Sequence, residues 1–117
     1  ALSKVYGVTI VTNEGTRRAA PGFAWQELDR VRVMGKAQAV TIFTPLPHAE
    51  GVGMQAWSAF LAAYRAQDWE SCDMLLRYVQ RQQPGQRLHA LYATRVAERR
   101  RSPPDPAWDG THSFDTK

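Results

Sequence analysis

The spacing of hydrophobic positions changes midway along the chain. Up to Phe43 they come in short β-branched or alternating runs, and beyond Gly53 they recur every three or four residues. Val8-Thr9-Ile10-Val11-Thr12 is β-branched throughout and reads as a short buried strand. Asn13 is placed to cap a short helix running towards Ala20, which Pro21-Gly22 ends. Phe23 to Met34 has the composition of a second strand. Within it Val31 and Val33 face one side, Arg30 and Arg32 the other. Gly35-Lys36 supplies a turn, and Val40-Thr41-Ile42-Phe43 makes the returning strand. Pro45 and Pro47 close this half.

The second half has helical period. A helix from about Met54 to Ala66 puts Trp57, Phe60, Leu61 and Tyr64 on one stripe. Asp68 is a natural N-cap for a second helix, with Trp69, Cys72, Leu75, Leu76 and Val79 on its apolar face. Pro84-Gly85 stops that helix. A third, about Gln86 to Arg100, carries Leu88, Leu91, Tyr92 and Val96, and Pro103, Pro104 and Pro106 end it. The remainder, Ala107 to Lys117, reads as irregular. The fold class expected is α+β, a small antiparallel sheet followed by three helices, with residues 47–53 as linker and 102–117 as a Pro-rich tail.

Composition narrows this little. The chain has 117 residues, 44% of them hydrophobic, enough for one folded core. The net charge of +4 is evenly spread, with no basic arm in either half. A single cysteine, Cys72, excludes an internal disulfide and fits a reducing, cytoplasmic setting. No apolar run approaches the ~20 residues of a membrane span, so no membrane contact is expected. Without an initiator Met the chain reads as an excised piece of a longer protein.

Few side chains suggest chemistry. Cys72 lies on an apolar helix face, where a thiol acts as a small hydrophobe. His48, His89 and His112 share no metal-ligand spacing, so no metal is expected in this piece. Arg95, Arg99, Arg100 and Arg101 form a basic row that would suit a phosphate or a partner. Read plainly, it is a solvated helix C-terminus favoured by the helix dipole. No aromatics are interleaved among these arginines, so no nucleic acid is expected. Trp108, alone in a polar tail, is expected to pin that tail onto the helices.

Three segments in order carry a family resemblance. Tyr6-Gly7-Val8-Thr9-Ile10-Val11-Thr12-Asn13-Glu14-Gly15-Thr16, then Glu27-Leu28-Asp29-Arg30-Val31-Arg32-Val33-Met34-Gly35-Lys36, then Val40-Thr41-Ile42-Phe43 are similar to the last third of a class III adenylate/guanylate cyclase domain. The resemblance covers residues 1–46. Tyr64 to Glu70, Tyr92 to Arg95 and Pro106 to Gly110 resemble the C-terminal extension of bacterial membrane-anchored cyclases, and residues 54–101 resemble a tetratricopeptide hairpin with a capping helix.

The resemblance implies a parent enzyme that converts ATP to cyclic AMP and pyrophosphate with Mg²⁺ or Mn²⁺, most simply as a homodimer. In that family the metal-binding aspartates and the transition-state Asn and Arg precede the matched segment, so the chain alone is expected to be inactive. The family's phosphate-contacting Lys aligns with Met34 here, leaving Lys36 as the nearest ammonium. The partners implied are the rest of the catalytic domain and a protein docking on the helical tail. The rival reading is a stand-alone helical interaction module.

Overall fold

The computed structural model describes residues 2–20, 22–33, 35–46 and 51–114. Met34, the Pro21 and Pro47 breaks, His48 and the last three residues of the tail lie outside them. The order of elements is α1 (Leu2–Tyr6), β1 (Thr12–Asn13), α2 (Glu14–Ala19), β2 (Ala24–Val33), β3 (Val40–Leu46), α3 (Gly51–Arg65), α4 (Trp69–Gln82), α5 (Arg87–Arg101) and β4 (His112–Phe114). The α+β class is as expected. The sheet is mixed rather than purely antiparallel: its order is β1-β3-β2-β4, and β4 runs parallel to β2.

The local signals act where the sequence placed them. Asn13 caps α2, its side chain accepting from the Thr16 amide at 2.9 Å. Asp68 caps α4, accepting from the Ser71 amide at 3.3 Å and the Ser71 hydroxyl at 2.6 Å. Between them α3 ends in a Schellman turn: the Asp68 amide donates to Ala63 O at 2.9 Å and the Gln67 amide to Tyr64 O at 3.1 Å. The left-handed position of this turn is Gln67 (φ 60), where glycine is usual. Its side-chain amide donates to Asp105 O at 3.0 Å, so the turn also holds the tail.

Two expectations fail. The run Val8 to Thr12 is not a buried strand: β1 contains only Thr12 and Asn13, paired with Phe43 and Ile42, and Ile10 is half exposed. A β-branched run becomes a strand only where an edge is there to pair it, and of this one only Thr12 meets β3. The tail, expected to be irregular, instead forms β4, in which His112, Ser113 and Phe114 pair with Val31, Arg32 and Val33.

One core joins the elements. Tyr6 of α1, Leu28 and Val31 of β2 and Ile42 of β3 are buried together with Trp57, Phe60, Tyr64, Cys72, Tyr92 and Val96 of the helices. At its centre Phe60 and Tyr64 meet the Tyr92 ring edge-on, at 5.4 and 5.1 Å. On the other face of the sheet, the Arg17 guanidinium of α2 lies 4.9 Å from the centroid of Phe43.

The tail is fastened by side chains and by one glycine. Gly110 is buried at φ +93, and a Cβ there would collide with the Arg65 side chain, which is itself ion-paired to Glu27 at 2.6 Å. Gly110→Ala therefore meets both a backbone and a steric penalty. It is expected to destabilise the fold by more than ~1 kcal/mol in urea unfolding and to speed proteolysis between Ser102 and Phe114.

Candidate functional site

The polar groups of the molecule converge on β2. Its register against β3 shifts between Glu27 and Asp29, so Leu28 is an extra, bulged residue. Carbonyls at a bulge leave the ladder and need other donors. Trp57 Nε1 of α3 donates to Glu27 O at 2.7 Å, and the Tyr92 hydroxyl of α5 donates to Leu28 O at 2.7 Å. The bulge also turns the Asp29 side chain into the core, where it is 1% exposed. There its Oδ2 accepts from the Tyr6 hydroxyl of α1 at 2.5 Å and from Arg95 Nη1 of α5 at 2.6 Å, while Oδ1 accepts from the Arg30 amide at 2.8 Å.

Electrostatics follow from this burial. Removal from water works against the Arg95 charge, but Asp29 beside it more than compensates, and the guanidinium pKa rises. Burial raises the Tyr6 hydroxyl well above its ordinary range, and the Asp29 charge raises it further. Burial likewise raises Tyr92. Both phenols are thus held as neutral donors. The cluster is sealed within the core, and its chemistry is that of a fastening: a carboxylate saturated by donors from β2 and two helices.

The residues singled out from sequence divide between this core and the surface. Arg95 is 4% exposed, so it does not belong to a solvated basic row. Arg99 lies 4.5 Å over the Trp108 ring, and its Nε donates to the Tyr64 hydroxyl at 3.0 Å. Arg100 reaches across to Asp73 of α4 at 3.0 Å. Arg101 is exposed at the helix end. Trp108 packs edge-on against Tyr64 at 5.2 Å and donates from Nε1 to Thr111 O at 3.0 Å, which places the tail on the helical half. Lys36 is exposed in the β2–β3 turn, its amide donating to Val33 O at 3.1 Å. The structure therefore brings Arg99 and Trp108 together, and it places Lys36 on a separate turn.

Cys72 is fully buried, and burial, with Asp68 and Asp73 adding to it, pushes its thiol up to about 12, far from a thiolate at neutral pH. No group of three or more His, Cys, Asp or Glu side chains is placed to hold a metal among the described residues. Nor is any helix among them long and apolar enough to cross a membrane. His89, which sequence spacing left as an isolated histidine, is 3% exposed beside Trp57, with their ring centroids 5.7 Å apart. Its Nδ1 has no hydrogen-bond partner. Two signals for these groups were present in the sequence. Asp29 shares the parity of Val31 and Val33, an acid on an apolar strand face, and Arg95 follows Tyr92 by three on the apolar side of α5.

Three outcomes follow. Asp29→Leu leaves the Arg95 guanidinium buried without its partner and is expected to cost about 3–5 kcal/mol in urea unfolding. The double variant Asp29→Leu/Arg95→Met is expected to cost clearly less than the sum of the two single changes. Burial also lowers the His89 pKa below its ordinary 6.5. A neutral, buried His89 thus contributes stability that is complete above its unfolded pKa and is lost as pH falls. Between about pH 7 and pH 5 the wild type should lose stability that His89→Gln retains, at most about 1.4 kcal/mol per pH unit. No protein-family model matches the chain, and no curated protein or solved structure matches it significantly.

Proposed function

We propose that the chain is the C-terminal part of a class III nucleotide cyclase, non-catalytic in itself, which completes the catalytic sheet and adds a tetratricopeptide-like helical tail. The observation that carries this reading is the ordered set of three segments, Tyr6 to Thr16, Glu27 to Lys36 and Val40 to Phe43. Its strand-turn-strand pattern agrees with the β2–β3 hairpin, in which Val31 pairs with Val40 across the turn containing Lys36. In the parent, the ribose 3′-oxygen of ATP attacks the α-phosphorus and pyrophosphate leaves, with Mg²⁺ or Mn²⁺ held by carboxylates that the family carries upstream of this segment. The chain contributes the hairpin and, on its turn, Lys36 as a candidate phosphate contact.

Under this reading the helical tail is the regulatory part. Arg95, Tyr92 and Trp57 tie it to β2, so a partner docking on the helices would act on the sheet through those bonds. The parent would be a cytoplasmic catalytic domain acting as a homodimer. A second reading, a stand-alone interaction module, is favoured by Met74 and Tyr78. They stand four residues apart on α4, 59% and 37% exposed, as a small apolar patch for a protein partner.

A reconstitution assay tests the first reading. The chain alone should give no cyclic nucleotide from ATP with Mg²⁺ or Mn²⁺. Mixed with the polypeptide encoded before Ala1, it should restore activity. Failure of that polypeptide to contain the paired aspartates would count against the cyclase reading and leave the interaction module.

A further inference from the structure

Where the ends of β2 and β3 meet α3, α4 and α5, the packing leaves a chamber of about 30 Å³. His89 and Trp57 line it, with Gln26, Gln82 and Gln83. An open groove of about 340 Å³ adjoins the chamber and shares Gln26, Leu46 and Gln83 with it. Val8, Ile10 and Pro45 give that groove an apolar floor, and Gln86 adds a further amide. His89 is 3% exposed, and its Nδ1 is buried with no partner in the protein. Trp57 Nε1 is already engaged with Glu27 O, so the indole supplies a wall and no free donor.

The lining has a definite chemical character. Among the described residues it includes no Asp, Glu, Lys or Arg side chain. An ion bound there would meet no counter-charge from the lining. The glutamine amides present donors and acceptors side by side, and an imidazole nitrogen offers one more of either kind. A buried polar atom without a partner calls for one, either a water or a ligand group. The chamber is large enough for a single water or one small polar group. Chamber and groove together reach the lower end of the volume range typical of small-molecule sites.

We propose that chamber and groove form a binding site for a small uncharged planar molecule bearing a carboxamide. The carboxamide enters the chamber, where it hydrogen-bonds His89 and the Gln26, Gln82 or Gln83 amides, and the ring lies in the groove against Leu46, Pro45 and Ile10. Selectivity comes from the missing charges: an isosteric carboxylate brings the same shape and one fewer donor group, and it has no cation to meet. The site is separate from the Lys36 turn, and the proposal does not depend on the cyclase reading.

Nicotinamide and nicotinate, nearly identical in shape and different in charge, are the probes. In a ¹H–¹⁵N and aromatic NMR titration of the full chain, nicotinamide should give saturable shifts at the His89 and Trp57 rings and the Gln83 side-chain amide. Nicotinate at the same concentrations should leave them in place. His89→Leu should weaken nicotinamide about ten-fold, the loss of one good hydrogen bond. Because that change lies in the core, Gln83→Leu at the exposed rim serves as a second variant, with a weakening of a few-fold expected. Equal response to both probes, or shifts scattered away from the groove, would overturn the proposal. So would the absence of saturable shifts up to about 10 mM, the regime expected of so small a probe. A nuclear Overhauser contact from a retained water to His89 under those conditions would identify the chamber as a hydration site only.

Discussion

A single bulged residue in β2 sets the demands that the rest of the molecule answers. By adding Leu28 to the strand, the bulge takes the Glu27 and Leu28 carbonyls to donors outside the sheet and turns the Asp29 carboxylate inward. Backbone acceptors and a carboxylate in a core are costly unless every one finds a donor. The donors come from three different helices: Tyr6 of α1, Trp57 of α3, and Tyr92 and Arg95 of α5. Each of these contacts spans 23 or more positions in sequence, so local structure alone makes none of them. Hydrophobic burial drives the halves together, while the bulge specifies how they sit.

The aromatic stripe of α3 and α5 serves both purposes. Phe60, Tyr64 and Tyr92 fill the space between the helices with edge-on contacts, and Trp57 and Tyr92 carry polar tips that reach β2. Tyr64 extends the same network outward: its hydroxyl accepts from Arg99, which covers Trp108, and its ring takes the edge of Trp108. The tail then returns past Gly110 to lie beside β2 as a parallel strand. The Arg30 guanidinium donates to Asp109 O on the way, so β2 is contacted by the tail at its edge as well as by the helices on its face. Anything that displaces the helices would therefore be felt along β2 and its hairpin.

Much of the fold was legible in the sequence because its signals are local. Caps at Asn13 and Asp68, the Pro84-Gly85 stop and the stripe Trp57, Phe60, Leu61, Tyr64 depend on neighbours a turn away. The failures are where the deciding partner is distant. Val8 to Thr12 has strand composition but mostly lacks an edge to pair with, and His112 to Phe114, with Phe114 as its one strand-favouring residue, pairs because Trp108 and Gly110 bring it to β2. The bulge leaves its trace where Leu28 and Asp29 break the alternation kept from Arg30 to Val33, an apolar residue on the polar parity and an acid on the apolar one, but the strand read alone does not show which partner it shifts against. The candidate sites fared likewise. Arg95 was visible as a cation, but only Asp29 opposite it explains why that cation is buried. His89 carried no motif, and its interest comes from a chamber assembled by five elements.

Native-state hydrogen exchange would test most directly whether the bulge makes the two halves one cooperative unit. Amides of β2 around Val31 and of α5 around Tyr92 and Val96 should open with the same free energy, equal to that of global unfolding by urea. If the amides of α3, α4 and α5 stayed protected while those of β2 exchanged at a clearly lower free energy, the halves would be separate units, and the contacts at Leu28 and Asp29 would not hold the fold together.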